Sequence, residues 1–230
     1  MNDMKTMFRR GWITAGQSEL WNCHGTYCTV PYEALPRVGG ATDDLGWLDQ
    51  VTPELRRIVQ GTSTLNSSDN QIANLESVVA KAQDFNLDLP HPFLRFMRDA
   101  GLQDKVPTCT ACFLALSEDL IPVVGAEGHY LLRFVNDSQS CVMWYLCLGR
   151  EGEAGVVASD YFLEPEIFEA MEYEGVKRED LFPNALLCAD TFTEFLYRFW
   201  VENTIWYSLR ERLPLTPLQD EYRNQITMKL

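Results

Sequence analysis

Residues 141–148, CVMWYLCL, are apolar at every position. Eight such residues are too few to cross a bilayer, which takes about twenty. They also lack the polar alternation of a strand with one wet side. They therefore read as a strand covered on both faces, at the centre of a sheet. The neighbouring runs agree: CTACFLAL (109–116), GHYLLRFV (128–135) and AGVVAS (154–159) are short and apolar, with turn-forming NDSQS and GREGE among the segments between them. Together they predict a meander. In HYLLRFV, Tyr130, Leu132 and Phe134 alternate with His129, Leu131 and Arg133. That alternation predicts one buried face and one half-wet face.

Helical patterns flank the meander. In TPELRRIVQG, Thr52 caps, Pro53 takes the first turn, Leu55, Ile58 and Val59 share a face, and Gly61 ends the helix. SSDNQIANLESVVAKAQDFN predicts a longer helix, capped at Ser68 or Asp69, with Ile72, Leu75, Val79, Ala82 and Phe85 as its stripe. LDLPHPFLRFMRDAG predicts a short one, with Pro90 and Pro92 at its entry, Phe93, Phe96 and Met97 on its face, and Gly101 as its stop. ADTFTEFLYRFWVENTIWYSLRERLP has Thr191 and Glu194 at capping-box spacing and a stripe of Phe192, Phe195, Leu196, Phe199 and Trp206, ending before Pro214. In TPLQDEYRNQITMKL, Thr216 caps, Pro217 enters first and Gln219 reaches back. Helices, then strands, then helices imply an α+β fold: a largely antiparallel or mixed central sheet with helices packed mainly on one face. The polar QGTSTLNSSDN separates an N-terminal extension, residues 1–66, from one compact unit, residues 67–230.

Charge narrows the function. Nineteen basic against thirty-three acidic side chains leave a net charge of −14, with no basic run longer than a pair. Nucleic acid and anionic lipid both need a positive footprint, so neither is an expected partner. Acidity serves solubility in many proteins; the sharper reading is a basic protein partner. Residues 150–182 hold ten acidic and three basic side chains, a net of −7 and half of the whole charge. The opening MNDMKTMFRRGWITAGQ contains no apolar segment of secretory length. With that start, Cys23, Cys28, Cys109, Cys112, Cys141, Cys147 and Cys188 are expected to be reduced thiols of a cytoplasmic protein, and their odd number argues against a closed disulfide framework.

Three places invite a chemical reading. In NDSQSC (136–141), a serine or cysteine nucleophile would need His129 as base and Asp137 as orienter. If 129–135 and 141–148 form a hairpin, six strand residues hold His129 roughly 20 Å from Ser138. No G-x-S-x-G elbow is present either, so the segment reads as a turn. CTAC, with CHGTYC far upstream, offers cysteines and His24, but strand alternation puts Cys109 and Cys112 on opposite faces. Core thiols are the better account. EPEIFEAMEYEG carries closely spaced carboxylates that read as a solvated helix face. No P-loop, G-x-G-x-x-G or H-E-x-x-H occurs. No catalytic residue, metal or cofactor is expected.

FVNDSQSCVMWYLCLGREGEAGVV resembles the central strand pair of the SUKH superfamily, where a turn with Asp and Gln leads into a Trp-Tyr strand. LPHPFLRFM is similar to that family's Leu-Pro and short aromatic helix, and CADTFTEFLYRFWVENTIWYSL to its late helix. The resemblance covers residues 67–215. It implies helices packed on one mixed sheet and a non-enzymatic, protein-binding role. Bacterial members are immunity proteins that neutralise toxins, often nucleases; the family also includes a yeast regulator of cell-wall assembly. It has no shared catalytic set to carry over. Charge clustering then marks Glu164, Glu166, Glu169, Glu172 and Glu174 as partner-binding residues, drawing in a basic toxin domain by electrostatic steering. A regulatory scaffold, or an enzyme that uses cysteine, histidine or a metal, are the alternatives. A toxin gene beside this one would favour immunity; cysteine-to-alanine changes or a metal assay would expose an enzyme.

Overall fold

The computed structural model describes residues 4–15, 26–60, 64–65, 69–150 and 152–227. In chain order come α1 (Met4–Met7), β1 (Arg9–Ala15), β2 (Tyr27–Pro31), α2 (Pro53–Gln60), α3 (Asp69–Asp84), α4 (His91–Arg98) and α5 (Ala100–Gln103). There follow β3 (Phe113–Leu114), β4 (Ile121–Pro122), β5 (His129–Asn136), β6 (Met143–Gly149) and β7 (Ala154–Ser159). The chain closes with α6 (Pro165–Ala170), β8 (Leu186–Ala189), α7 (Phe192–Arg210) and α8 (Pro217–Thr227). The strands form one mixed sheet in the order β2-β1-β8-β7-β6-β5-β3, with β4 also paired to β5. The fold is α+β with an open sheet, as the order of patterns in the sequence predicts.

β6 runs between β5 and β7 and is buried along its whole length. Its alternate side chains enter different cores. Trp144, Leu146 and Leu148 meet the long helices, while Met143, Tyr145 and Cys147 face the other way. On the helix side, rings interlock: Phe134 lies 5.7 Å from Phe192, which lies 5.2 Å from Phe93 of α4. Each such buried ring contributes about 2–3 kcal/mol. A bulge at Phe134, where the β5–β6 register shifts between Arg133 and Val135, lets both Phe134 and Val135 join this core.

The half-wet face expected on β5 is not there. Leu131 is fully buried, and His129 and Arg133 are nearly so. The segment 160–182 lies across that face, with Phe162, Leu163, Leu181 and Phe182 packed beneath it. Alternation along one strand cannot reveal a cover supplied by residues thirty positions away.

Other local expectations were refined by packing. α3 turns Leu75, Val78 and Ala82 inward, leaving Ile72 and Phe85 more than 40% exposed, so its stripe is rotated from the predicted one. Its expected caps and the expected stop at Gly61 fall outside the described residues, apart from the backbone of Asp69. α4 buries Phe93, Phe96 and Met97 as expected, yet ends before Gly101. Asp99 breaks the helix with extended backbone and caps α5, accepting from the Leu102 amide, so Gly101 sits inside that next turn. The run 109–116 is a strand only at Phe113 and Leu114; the CTAC residues precede it as a turn and irregular backbone. α7 is buried around almost its full circumference, with Trp206 at its margin. Thr191 accepts from the Glu194 amide, and the Glu194 carboxylate accepts from the Asp190 amide. The Thr216–Gln219 box closes in both directions, at 2.8 and 3.3 Å.

Residues 9–15 and 27–31 belong to the same sheet. β1 joins β8 in parallel through Arg9 and Arg10, and pairs antiparallel with β2 from Gly11 to Ala15. The hairpin then crosses the ends of the strands, so that Tyr27 reaches Asp137 at the β5–β6 bend.

Candidate functional site

The acidic segment begins where β7 ends. Asp160, its first carboxylate there, is exposed, but the next, Glu164, is committed to the interior. Glu164 is 6% exposed; it forms an ion pair with Arg133 and accepts from the Tyr145 hydroxyl at 3.0 Å. Arg133 also donates to Asn136 Oδ1 at 2.9 Å, and the Tyr145 oxygen accepts from the Leu163 amide at 3.0 Å. Burial, with the nearby Glu164 charge, holds the Tyr145 hydroxyl well above its ordinary pKa. Further along, Arg178 donates to the Leu163 carbonyl at 2.7 Å and stacks over Phe182. Both ends of the segment are thus pinned to Leu163 and Glu164. As a partner-binding residue Glu164 is corrected: a charge with two internal partners in the core is not offered at the surface.

The other four carboxylates are exposed. Glu166 and Glu169 lie on α6, Glu172 and Glu174 in the turns that follow, where Gly175 adopts a left-handed φ of +71°. Between them is an aromatic group: Tyr173 lies 5.0 Å from Tyr161 and 5.2 Å from Phe168, all partly exposed, with Met171 at 48%. The result is an acidic, aromatic surface, fixed to the sheet from below.

The bend at 136–141 is a bracket. Asp137 Oδ1 accepts from the amides of Gln139 and Cys141, and Oδ2 accepts from the Tyr27 hydroxyl. His129 pairs with Gly149 at the opposite end of the hairpin, where its Nε2 lies 3.2 Å from Glu153 Oε2. The imidazole and the bend are apart, as the hairpin argument requires.

The cysteines correct one expectation and change the reason for another. Cys28 is disulfide-bonded, so the thiols are not uniformly reduced. Cys109 lies in a turn and Cys112 just before β3, so strand alternation is not what governs them. Burial pushes the Cys109 thiol up to about 12 and raises Cys112 as well, which leaves both poor nucleophiles at neutral pH. Among the described residues no group of three His, Cys, Asp or Glu could hold a metal ion; Cys23 and His24 lie outside them.

One ionisable site escaped sequence reasoning. Glu202, on α7, is buried and accepts from the Trp12 indole and the Tyr222 hydroxyl, each at 2.9 Å. Burial pushes its carboxyl up to about 7, against the pull of those hydrogen bonds. The only local signal was a glutamate and an amide inside an aromatic helix, in WVENTIWY. The donors come from β1 and α8, far away in sequence.

No family model matches this chain, and no curated protein or solved structure matches it. No helix among the described residues is long and apolar enough to cross a membrane. What fold and surface define is a class: an α+β protein carrying a braced acidic face.

Proposed function

We propose that this chain is a non-enzymatic protein-binding module of the SUKH type, working in the cytoplasm as an immunity protein. Its acidic cover, residues 160–182, binds a basic toxin domain such as a nuclease and occludes its working surface. The observation that carries this reading is the exposure of Glu166, Glu169, Glu172 and Glu174 around Tyr161, Phe168 and Tyr173. Carboxylates at the rim steer a cationic partner in, and aromatic groups at the centre supply contact area at low entropic cost. A nuclease is basic because it grips phosphates, which makes it complementary to such a face.

The test is co-purification of the tagged chain from its native host, followed by the association rate of the captured partner at low and high salt. Steering predicts a fall of about tenfold or more as ionic strength rises to 0.5 M. A flat dependence removes the electrostatic part, and the absence of binding removes the reading.

A further inference from the structure

Cys28 and Cys141 line the same cavity, of about 450 Å³, where the β1–β2 hairpin crosses the strand ends. Their sulfurs are in different states. Cys28 is disulfide-bonded and half-buried, whereas Cys141 is a free, exposed thiol. One carboxylate tethers the two segments. Asp137 Oδ2 accepts from the hydroxyl of Tyr27, the residue before Cys28, and Oδ1 accepts from the Cys141 amide at 3.3 Å. A thiol and a disulfide held in one cavity are the two reactants of thiol–disulfide exchange, and neither has to diffuse to the other. The other free thiols compete poorly, because exchange runs through an accessible thiolate. Cys112, Cys147 and Cys188 are buried, and burial pushes the Cys109 thiol up to about 12.

We propose that Cys28 and Cys141 are an exchange pair, in which attack by Cys141 transfers the Cys28 disulfide onto itself and bonds the hairpin covalently to the β5–β6 bend. The Cys141 thiol gives its proton to solvent, and its Sγ attacks Cys28 Sγ. A Cys28–Cys141 bond forms and the present bond to Cys28 breaks. The displaced sulfur leaves as a thiolate and takes up a proton. One disulfide and one thiol stand on each side of the step, so no oxidant or reductant is consumed. The new bond joins residues more than a hundred positions apart, at the junction that Tyr27 and Asp137 already hold. Closing so long a loop strongly restrains the unfolded chain. The pair is thus a lock on the hairpin, and it is independent of the protein-binding reading of the acidic surface.

The test uses the full, unaltered chain, incubated at mildly alkaline pH, quenched with acid, and digested without reduction for peptide mass spectrometry. A cross-linked peptide joining Cys28 to Cys141 is expected to accumulate at a rate independent of protein concentration. Over the same period, alkylation of Cys141 by a short pulse of iodoacetamide should fall about fivefold or more, and Tm should rise. Cys141→Ser should give neither the cross-link nor the rise in Tm. Full alkylation of Cys141 with no cross-linked peptide, while Cys28 keeps its original disulfide, would overturn the proposal. So would a cross-link whose rate grows in proportion to protein concentration, since that marks exchange between molecules.

Discussion

The Tyr27 hydroxyl donates to Asp137 Oδ2 at 2.5 Å, joining residues 110 positions apart. This bond fastens the β1–β2 hairpin to the β5–β6 bend, beside the contact of Tyr27 with the Trp144 ring at 6.3 Å. Asp137 spends its other oxygen on the bend itself, so one side chain shapes a turn and anchors a distant strand.

Removing only that hydroxyl leaves Asp137 with its two amide donors. Tyr27→Phe is therefore expected to cost about 1.5–3 kcal/mol, the range for a hydrogen bond to a charged acceptor. In urea denaturation this reads as a lower midpoint at unchanged slope. Asp137→Ala, which also deprives the bend of its acceptor, should cost more.

Glu164 and Glu169 sit five residues apart and should behave oppositely. Glu164→Ala leaves the Arg133 guanidinium buried without its partner, and breaking such a pair costs about 3 kcal/mol. Glu169→Ala, at an exposed position, should change stability by no more than about 0.5 kcal/mol. Denaturation curves of the two variants check this directly; equal losses would contradict the buried clamp.

Glu202 makes a pH signature. Its folded carboxyl is pushed up to about 7 from an ordinary 4.5. Between these values the folded chain holds a proton that the unfolded chain has released. The stabilising contribution is thus complete below about 4.5 and is lost as pH rises through about 7, by roughly 3 kcal/mol in all. Unfolding free energies at several pH values from 4.5 to 8 should show this decline, and Glu202→Gln should flatten it. A decline of the same size in the variant would assign it to other groups.

Of the five free thiols among the described residues, Cys141 alone is exposed. Burial pushes Cys109 and Cys188 up to about 12 and raises Cys112 and Cys147 too. Iodoacetamide on the native protein should therefore label Cys141 first, with the other four reacting only after denaturation. Peptide mass spectrometry over time resolves them.

The caps at Thr191 and Thr216, the inward face of α4 and the central place of β6 could all be read along the chain. Each depends on groups a few residues apart, where hydrogen-bond reach and side-chain periodicity act locally. The inward stripe of α3 was only half legible, because the pattern shows which residues are apolar but not where the core ends. Glu164 looked like its acidic neighbours, since burial is decided by Arg133 and Tyr145, which approach from two other strands. The sequence by itself thus determined the longer helices, the strands β5 to β7 and the acidity of one segment, but not β1, β2 or β8. Tertiary structure alone decided that β1 lies beside β8, that the acidic segment covers the second face of the sheet, and that Glu202 is buried. These outcomes depend on pairings between residues tens to nearly two hundred positions apart, whose energy exists only once the chain has closed on itself.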